Sequence, residues 1–282
     1  MAAPSTVPAV VQQASERLRL AGSLRRSCPP VRDLIDEMDL DTAYAVQRHV
    51  TELQLISGAR PVGRKIGMTS PAVQRQLGVS QPNSGVLLDT MHVNDGAAVA
   101  TSRLLQPLIE AELAVVLRAD LDGDDLTLED VRSAVGTVHA ALEIVDSRIE
   151  GWDITIVDTI ADNASSGVYV ISSDYQQLGD RDLRTMEMEL RRNGTVVSAG
   201  TGAACLGDPL HALAWLAATA QAQGVPLRAG ETVLTGALGP MVPIAEGDTF
   251  TGTIGDLRPV SVRFLASAEL LARGVERGES VP

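Results

Sequence analysis

Leu104-Leu105-Gln106-Pro107-Leu108-Ile109-Glu110-Ala111-Glu112-Leu113-Ala114-Val115-Val116-Leu117 is an apolar run into which two carboxylates are set. Its apolar, β-branched character predicts a buried strand. Side chains alternate faces along a strand, so Glu110 and Glu112 point the same way. Two parallel carboxylates in such a run repel each other and shift their pKa unless a cation keeps them ionised. Working outward, Val138 to Ile149 reads as a second buried strand, and Glu143 within it faces the same difficulty. Three oxygen ligands without His or Cys point to a hard octahedral ion, Mg²⁺ or Mn²⁺, with positions left for water or substrate. The competing reading pairs Glu110 and Glu112 with rim arginines such as Arg103 and Arg148, but buried ion pairs are seldom net stabilising. His139, four residues before Glu143, shares its face in an ideal strand and reads as a core or supporting residue.

The next landmark upstream is Gly63-Arg64-Lys65-Ile66-Gly67-Met68-Thr69-Ser70, which holds the only lysine of the 282 residues. Every other cation of the 23 is arginine. Amine and guanidinium differ most in their ability to exchange a proton, so Lys65 is the leading catalytic candidate. The flanking glycines and apolar residues place it on a half-buried strand.

Composition narrows the function classes. With 36 acidic residues against 23 basic ones, the surface repels nucleic acid phosphates and anionic membranes. Two Trp, three Tyr and two Phe leave an aliphatic core and no stacking platform for bases. Cys28 and Cys205 have neither metal-ligand nor disulfide-framework spacing, which fits a reducing cytoplasm. Met1 to Val11 lacks a basic region and is followed at once by polar residues, so neither signal peptide nor membrane span is expected.

Residues 1–60 read as a helical segment ahead of a catalytic domain at 61–282. A helix is expected from Ser5 to Ala21, stopping at Gly22, and a second capped by Asp41 and ending near Gly58. Ser70-Pro71 predicts a short helix to Leu77. Ser80 to Gly85 is a polar turn before a strand at Val86 to Leu88. Thr127 caps a helix to Val135, Trp152 to Ala161 reads as helical, and Asp162 to Gly167 leads into a strand at Val168 to Ile171. Asn193-Gly194 joins two strands in a hairpin, Met186 to Arg192 and Thr195 to Ala199. Asp208-Pro209 opens a helix to Gln223, and a last helix lies near Ser267 to Arg273. Gly200-Thr201-Gly202 is no dinucleotide loop, because Cys205 takes the place of the third glycine. No nucleophile elbow is present, and Ser165-Ser166 has no nearby histidine, which argues against a serine hydrolase.

From about residue 30 to 265 the chain resembles the 2-keto-4-pentenoate hydratase and 4-oxalocrotonate decarboxylase group of the fumarylacetoacetate hydrolase superfamily. The resemblance is carried by Asp41-Thr42-Ala43-Tyr44-Ala45-Val46-Gln47, the Lys65 stretch, Gln81-Pro82, Glu110-Ala111-Glu112 and Ala141 to Arg148. Asp162-Asn163-Ala164-Ser165, Leu206-Gly207-Asp208-Pro209 and Leu234-Thr235-Gly236 complete it. It implies an α+β fold with a mixed β-roll, and Mg²⁺ or Mn²⁺ on Glu110, Glu112 and Glu143. Lys65 is then an acid/base with a lowered pKa, and Asp162, Asn163, Ser165 and Thr235 bind substrate. It also implies a cytoplasmic homo-oligomer acting on a small anionic 2-hydroxy-2,4-dienoate, to which water is added to give a 4-hydroxy-2-keto acid. One position departs from the pattern: Gln81-Pro82-Asn83 stands where hydratases of the group usually have Gln-Pro-Asp. A carboxamide orients water but accepts no proton at neutral pH. A decarboxylase or tautomerase, and a non-catalytic partner subunit, are therefore the alternatives to a hydratase. Residues of the Ser70 to Leu88 loop are expected to set the tail specificity of the substrate.

Overall fold

Two helices lead the chain in the computed structural model, which describes residues 7–70, 74–75 and 81–269. Helix α1 spans Ala9–Leu24 and buries Val11, Ala14, Leu18 and Ala21, one stripe at helical spacing. Gly22 does not stop it; a glycine inside a helix costs only about 1 kcal/mol relative to alanine. The stop is Arg25, in the left-handed conformation at φ 51°, whose N–H bonds the Ala21 carbonyl. Helix α2 spans Leu40–Ile56 and is capped by Asp39 rather than Asp41: the Asp39 carboxylate accepts the Thr42 N–H at 3.0 Å. Asp41 sits in the first turn, where its charge meets the positive end of the helix dipole.

The strands that follow are β1 (Pro61–Gly67), β2 (Asn83–Leu88), β3 (His92–Val93), β4 (Ala98–Ala100) and β5 (Leu108–Leu117). Helix α3 (Leu128–Ala134), capped by Thr127 as expected, leads into β6 (Val135–Val145). Helix α4 (Ile156–Ala161) precedes β7 (Ser166–Ile171), β8 (Gln176–Gln177), β9 (Glu187–Arg192) and β10 (Thr195–Thr201). Helix α5 (Pro209–Ala222) is capped by Asp208 with proline at its start, and β11 (Thr232–Ala237), β12 (Val242–Pro243), β13 (Thr249–Ile254) and β14 (Val260–Leu265) end the described chain.

Several boundaries differ from the sequence reading for local reasons. β5 starts at Leu108, not Leu104, because the N–H groups of Leu105 and Gln106 donate to the Asp146 carboxylate instead of joining a ladder. β2 begins at Asn83, so Asn83, Ser84 and Gly85 are strand and not turn. α4 begins only at Ile156, since Gly151 and Trp152 are left-handed, at φ 65° and 56°. The Asn193-Gly194 hairpin forms as expected, with both residues at positive φ (52° and 86°). The helices expected at Ser70 to Leu77 and Ser267 to Arg273 lie largely outside the described residues.

The larger sheet has the order β2-β1-β11-β5-β6-β7-β3, with β12 on β5 and β8 on β6; the smaller runs β10-β9-β13-β14-β4. Parallel pairs (β1 with β11, β3 with β7, β4 with β14) occur among antiparallel ones, so both sheets are mixed. The two sheets stack over an aliphatic core in which Ile109, Ala111, Leu113, Leu142 and Ile144 meet Phe250, Ile254, Val262 and Phe264. Close approach is enforced at Gly252 of β13, where a Cβ would come within 3.0 Å of Leu142. The fold is thus α+β, a mixed β-roll preceded by helices. α1 and α2 pack on Ile149, Ile154, Val157 and Ile160, and the Asp158 carboxylate ties them down by accepting the N–H groups of Val31 and Arg32 at 2.9 and 3.0 Å.

Candidate active site

Strand register decides which side chains meet. Glu110 lies directly opposite Glu143, and Glu112 opposite Ala141, so the three carboxylates share one face of the β5–β6 pair. Across β11, Lys65 is level with Leu234 and Leu234 with Ala114, two residues from Glu112. Lys65 therefore projects from that same face, two strands away. Asn83 pairs with Gly67, two residues from Lys65, and joins them. This is the face turned away from the stacked sheets, roofed by α4 and the turn after it, with α2 alongside. Gln47 of α2 fastens that cover, its amide donating to the carbonyls of Ser84 (2.8 Å) and Ile160 (2.9 Å).

The resulting cluster is dry. Lys65 is 2% exposed, Glu143 1%, Glu110 4% and Glu112 0%. Lys65 Nζ donates to the Ala164 carbonyl at 3.0 Å and stands 3.1 Å from Glu143 Oε1. Glu112 Oε2 accepts the Gly236 N–H at 2.8 Å. Glu110 Oε2, Glu112 Oε1 and both Glu143 oxygens have no hydrogen-bond partner among the described residues. One oxygen from each of the three carboxylates lies within 4.8 Å of the others. Burial pushes Glu110 up to about 7, with the Glu143 charge adding to it and Lys65 opposing. Glu112 is raised well above the carboxylate range by burial and by Glu143 and Glu110. Burial alone would lower the Lys65 amine, but Glu143, Glu110 and Glu112 outweigh it and hold it above its ordinary value. One amine facing three carboxylates gives this direction; the lowered pKa that the resemblance implies belongs to the same amine with a cation on those carboxylates. All-oxygen donors, unpartnered and converging, fit a hard divalent cation.

A small cavity opens on this cluster. Its polar side is Lys65, Glu110, Asn83, Thr159 and Ser165, and its apolar side is Met68, Val145, Trp152 and Met241. Asn83 Nδ2 donates to Thr159 Oγ1 at 3.2 Å, leaving Oδ1 buried and unpartnered. Thr159 and Ser165 hydroxyls are 3.2 Å apart. Gly67 keeps the floor clear: a Cβ there would lie 2.3 Å from Asn83 Oδ1 and 3.3 Å from Lys65 Nζ. Among the described residues, Met68, Trp152, Ala164 and Ser165 line the cavity at positive φ, 52–60°. Asn163 completes a left-handed turn with Ala164 and Ser165 (φ 52–54°), a conformation costing roughly 1–2 kcal/mol per non-glycine residue. That turn aims the Ala164 carbonyl at Lys65.

The structure brings together Lys65, Asn83, Glu110, Glu112, Glu143 and Ser165. It engages the other three expected residues elsewhere. Asp162 accepts Arg148 Nε and the Arg148 N–H, and Arg148 binds in turn the carbonyls of Asp146, Asp162 and Ser166. The Asn163 amide pairs with both backbone groups of Val86, at 2.8 and 2.9 Å. Thr235 donates to the Leu113 carbonyl at 3.0 Å. The rim-arginine alternative fails: Arg148 pairs with Asp162 and Arg103 donates to the Thr90 carbonyl, while the glutamates face Lys65. His139 is bonded to Thr137 and the Ser172 carbonyl. Thr159, Trp152 and Met241 were not singled out in the sequence; Thr159 carries no motif, and Trp152, one of two tryptophans, was the one available signal.

Residues 43–264 match the fumarylacetoacetate (FAA) hydrolase C-terminal family. The chain is 52% identical over 254 residues to the TodF product hydratase of Pseudomonas putida, covering 90% of this chain and 95% of that protein. It is 48% identical over 248 residues to the 2-keto-4-pentenoate hydratase of Burkholderia vietnamiensis, covering 88% and 95%. Among solved structures, 4-oxalocrotonate decarboxylase from Pseudomonas putida G7, complexed with magnesium and adipate, superposes with a TM-score of 0.86 at 36% identity, covering 90% of this chain and 97% of that one. With a family match across most of its length and relatives near half identity, the chain belongs to the fumarylacetoacetate hydrolase family.

Proposed function

We infer that this protein is a hydro-lyase that adds water to a 2-hydroxy-2,4-dienoate of the 2-keto-4-pentenoate type, giving a 4-hydroxy-2-keto acid. The observation that carries the reading is the single buried face on which Lys65, Asn83 and three glutamates with unsatisfied oxygens converge, in a chain near half identical to named hydratases. The 36% identity to a decarboxylase is the weaker likeness. A non-catalytic subunit would have no use for four buried ionisable groups that stabilise nothing by packing.

Glu110, Glu112 and Glu143 would hold the divalent ion, Mg²⁺ or Mn²⁺, which as a Lewis acid would anchor the carboxylate and 2-oxygen of the substrate. The remaining work falls to the protein. Lys65, the one amine lining the cavity among the described residues, donates a proton to C5 and takes up the 2-hydroxyl proton, forming the α,β-unsaturated ketone. Asn83 presents its free Oδ1 to water and orients it toward C4, fixed by Thr159. Lys65 then gives its proton to C3 as water oxygen bonds to C4, and it is recharged by the proton that water releases, so the net change is one water added. Ser165 is the substrate-binding hydroxyl in this scheme. Asp162, Asn163 and Thr235 serve it from behind by shaping the turn and the β11 bulge. Residues 1–60 act as a helical preface to the catalytic domain of 61–282. A cytoplasmic homo-oligomer completes the proposal, supported by two buried free cysteines and by exposed Leu24, Met38 and Ile56 in the N-terminal region.

The test is to supply 2-hydroxypentadienoate with Mg²⁺ or Mn²⁺ and identify products by NMR. The expected product is the 4-hydroxy-2-keto acid. Release of CO₂ from 2-oxohex-3-enedioate without hydration would replace this reading by a decarboxylase. Tautomerisation alone, with water addition restored in Asn83→Asp, would show that the carboxamide is the defect.

A further inference from the structure

Along β5 and β6, the pair next to Glu110–Glu143 on the same face is Leu108–Val145. Two residues of strand span about 7 Å. A 2-oxo acid held by its head at the glutamates, as the hydratase reading requires, therefore lays its far carbons over Val145. Val145 packs there with Ala237 and Met241, and Leu108 and Trp152 close the group. The one polar atom of Trp152 is already used, its indole N–H donating to the Gln106 carbonyl at 2.9 Å. Gly151 N–H bonds Gln106 Oε1 at 2.9 Å, fixing the left-handed turn that sets the ring.

We propose that Val145, Trp152 and Met241 form a tail-selecting wall that accepts a short alkyl end and rejects a second carboxylate. Among the described residues, Lys65 is the sole cation lining the cavity, and it is committed to Glu143. Arg148, at the exit of β6, is consumed by Asp162 and three carbonyls. The Lys65 ammonium that serves C5 is already paired with Glu143 and faces two further carboxylates, so a terminal carboxylate would rest on apolar atoms as a fourth with no cation of its own, and desolvating such a charge is costly.

Isothermal titration calorimetry on the Mg²⁺-loaded protein with two unreactive acids of equal chain length tests this. 2-Oxohexanoate is expected to bind about 100-fold more tightly than 2-oxohexanedioate, the scale set by an unpaired buried polar group. Met241→Lys and, at a half-exposed position, Trp152→Lys place an ammonium at the wall, and either should narrow the ratio at least ~10-fold. Equal affinity of the wild-type protein for both acids, or a ratio unmoved in a folded lysine variant, would overturn the tail inference alone. Failure of both acids to bind would instead overturn the hydratase reading of the site, and the wall with it.

Discussion

Lys65 shares its proton environment with one carbonyl and three carboxylates, so its charge and its reactivity are separable. Lys65→Arg keeps the charge and removes ready proton exchange. We expect turnover to fall by roughly 10²–10⁴-fold, the usual contribution of a positioned acid/base, while Mn²⁺ affinity measured by electron paramagnetic resonance changes little. Undiminished turnover would reassign the proton transfer. Gly67→Ala should also lower activity, because its Cβ would press on Asn83 Oδ1. Asp162 makes a pH prediction. Burial pushes it up to about 6 against the opposing Arg148 charge. A carboxyl raised on folding stabilises most below its unfolded value near 3.9, and that contribution is lost as pH rises through about 6. Urea titrations from pH 4 to 6.5 should therefore show a downward contribution with rising pH that Asp162→Asn lacks. At this scale the sequence was informative where chemistry is rare: a lone lysine and carboxylates in apolar runs. It was silent on Thr159, whose hydroxyl matters only through what it touches.

The left-handed turn Asn163–Ser165 is the element on which the site's precision depends. Nothing in its own sequence favours three consecutive non-glycine residues at positive φ, so its neighbours must impose the conformation. Arg148 clamps both sides of it, through Asp162 and the Ser166 carbonyl, and Asn163 staples it to β2. Arg148→Ala should destabilise the protein by about 3–5 kcal/mol, since it leaves a buried carboxylate unpaired, and should lower kcat more than it raises KM as Ala164 loses its aim at Lys65. A folded variant with unchanged kcat would show that the turn holds itself. The Asp-Asn-Ala-Ser motif was legible as belonging to the site. Its role was not, because the side chains of Asp162 and Asn163 face structural partners while the Ala164 carbonyl that follows them faces the lysine.

Across the whole molecule, folding gathers like charges at one point of a chain whose net charge is already −13. A divalent ion bound only by the folded state stabilises it by mass action. Thermal unfolding with Mg²⁺ or Mn²⁺ added should move to higher temperature, by several degrees at about 100 times Kd, and Glu112→Gln should reduce the shift. No helix among the described residues is long and apolar enough to cross a membrane. The strands that carry the glutamates, the hairpin at Asn193-Gly194, the capped helix after Asp208 and the identity of the charged residues were all legible along the chain, because periodicity, turn chemistry and rare residue types are local signals. Tertiary packing alone brings Lys65 to Glu143 across two intervening strands and sets an apolar wall one residue pair beyond the carboxylates. Those facts depend on register between segments far apart in the chain, and register is fixed by the packing of the whole sheet rather than by any stretch of it.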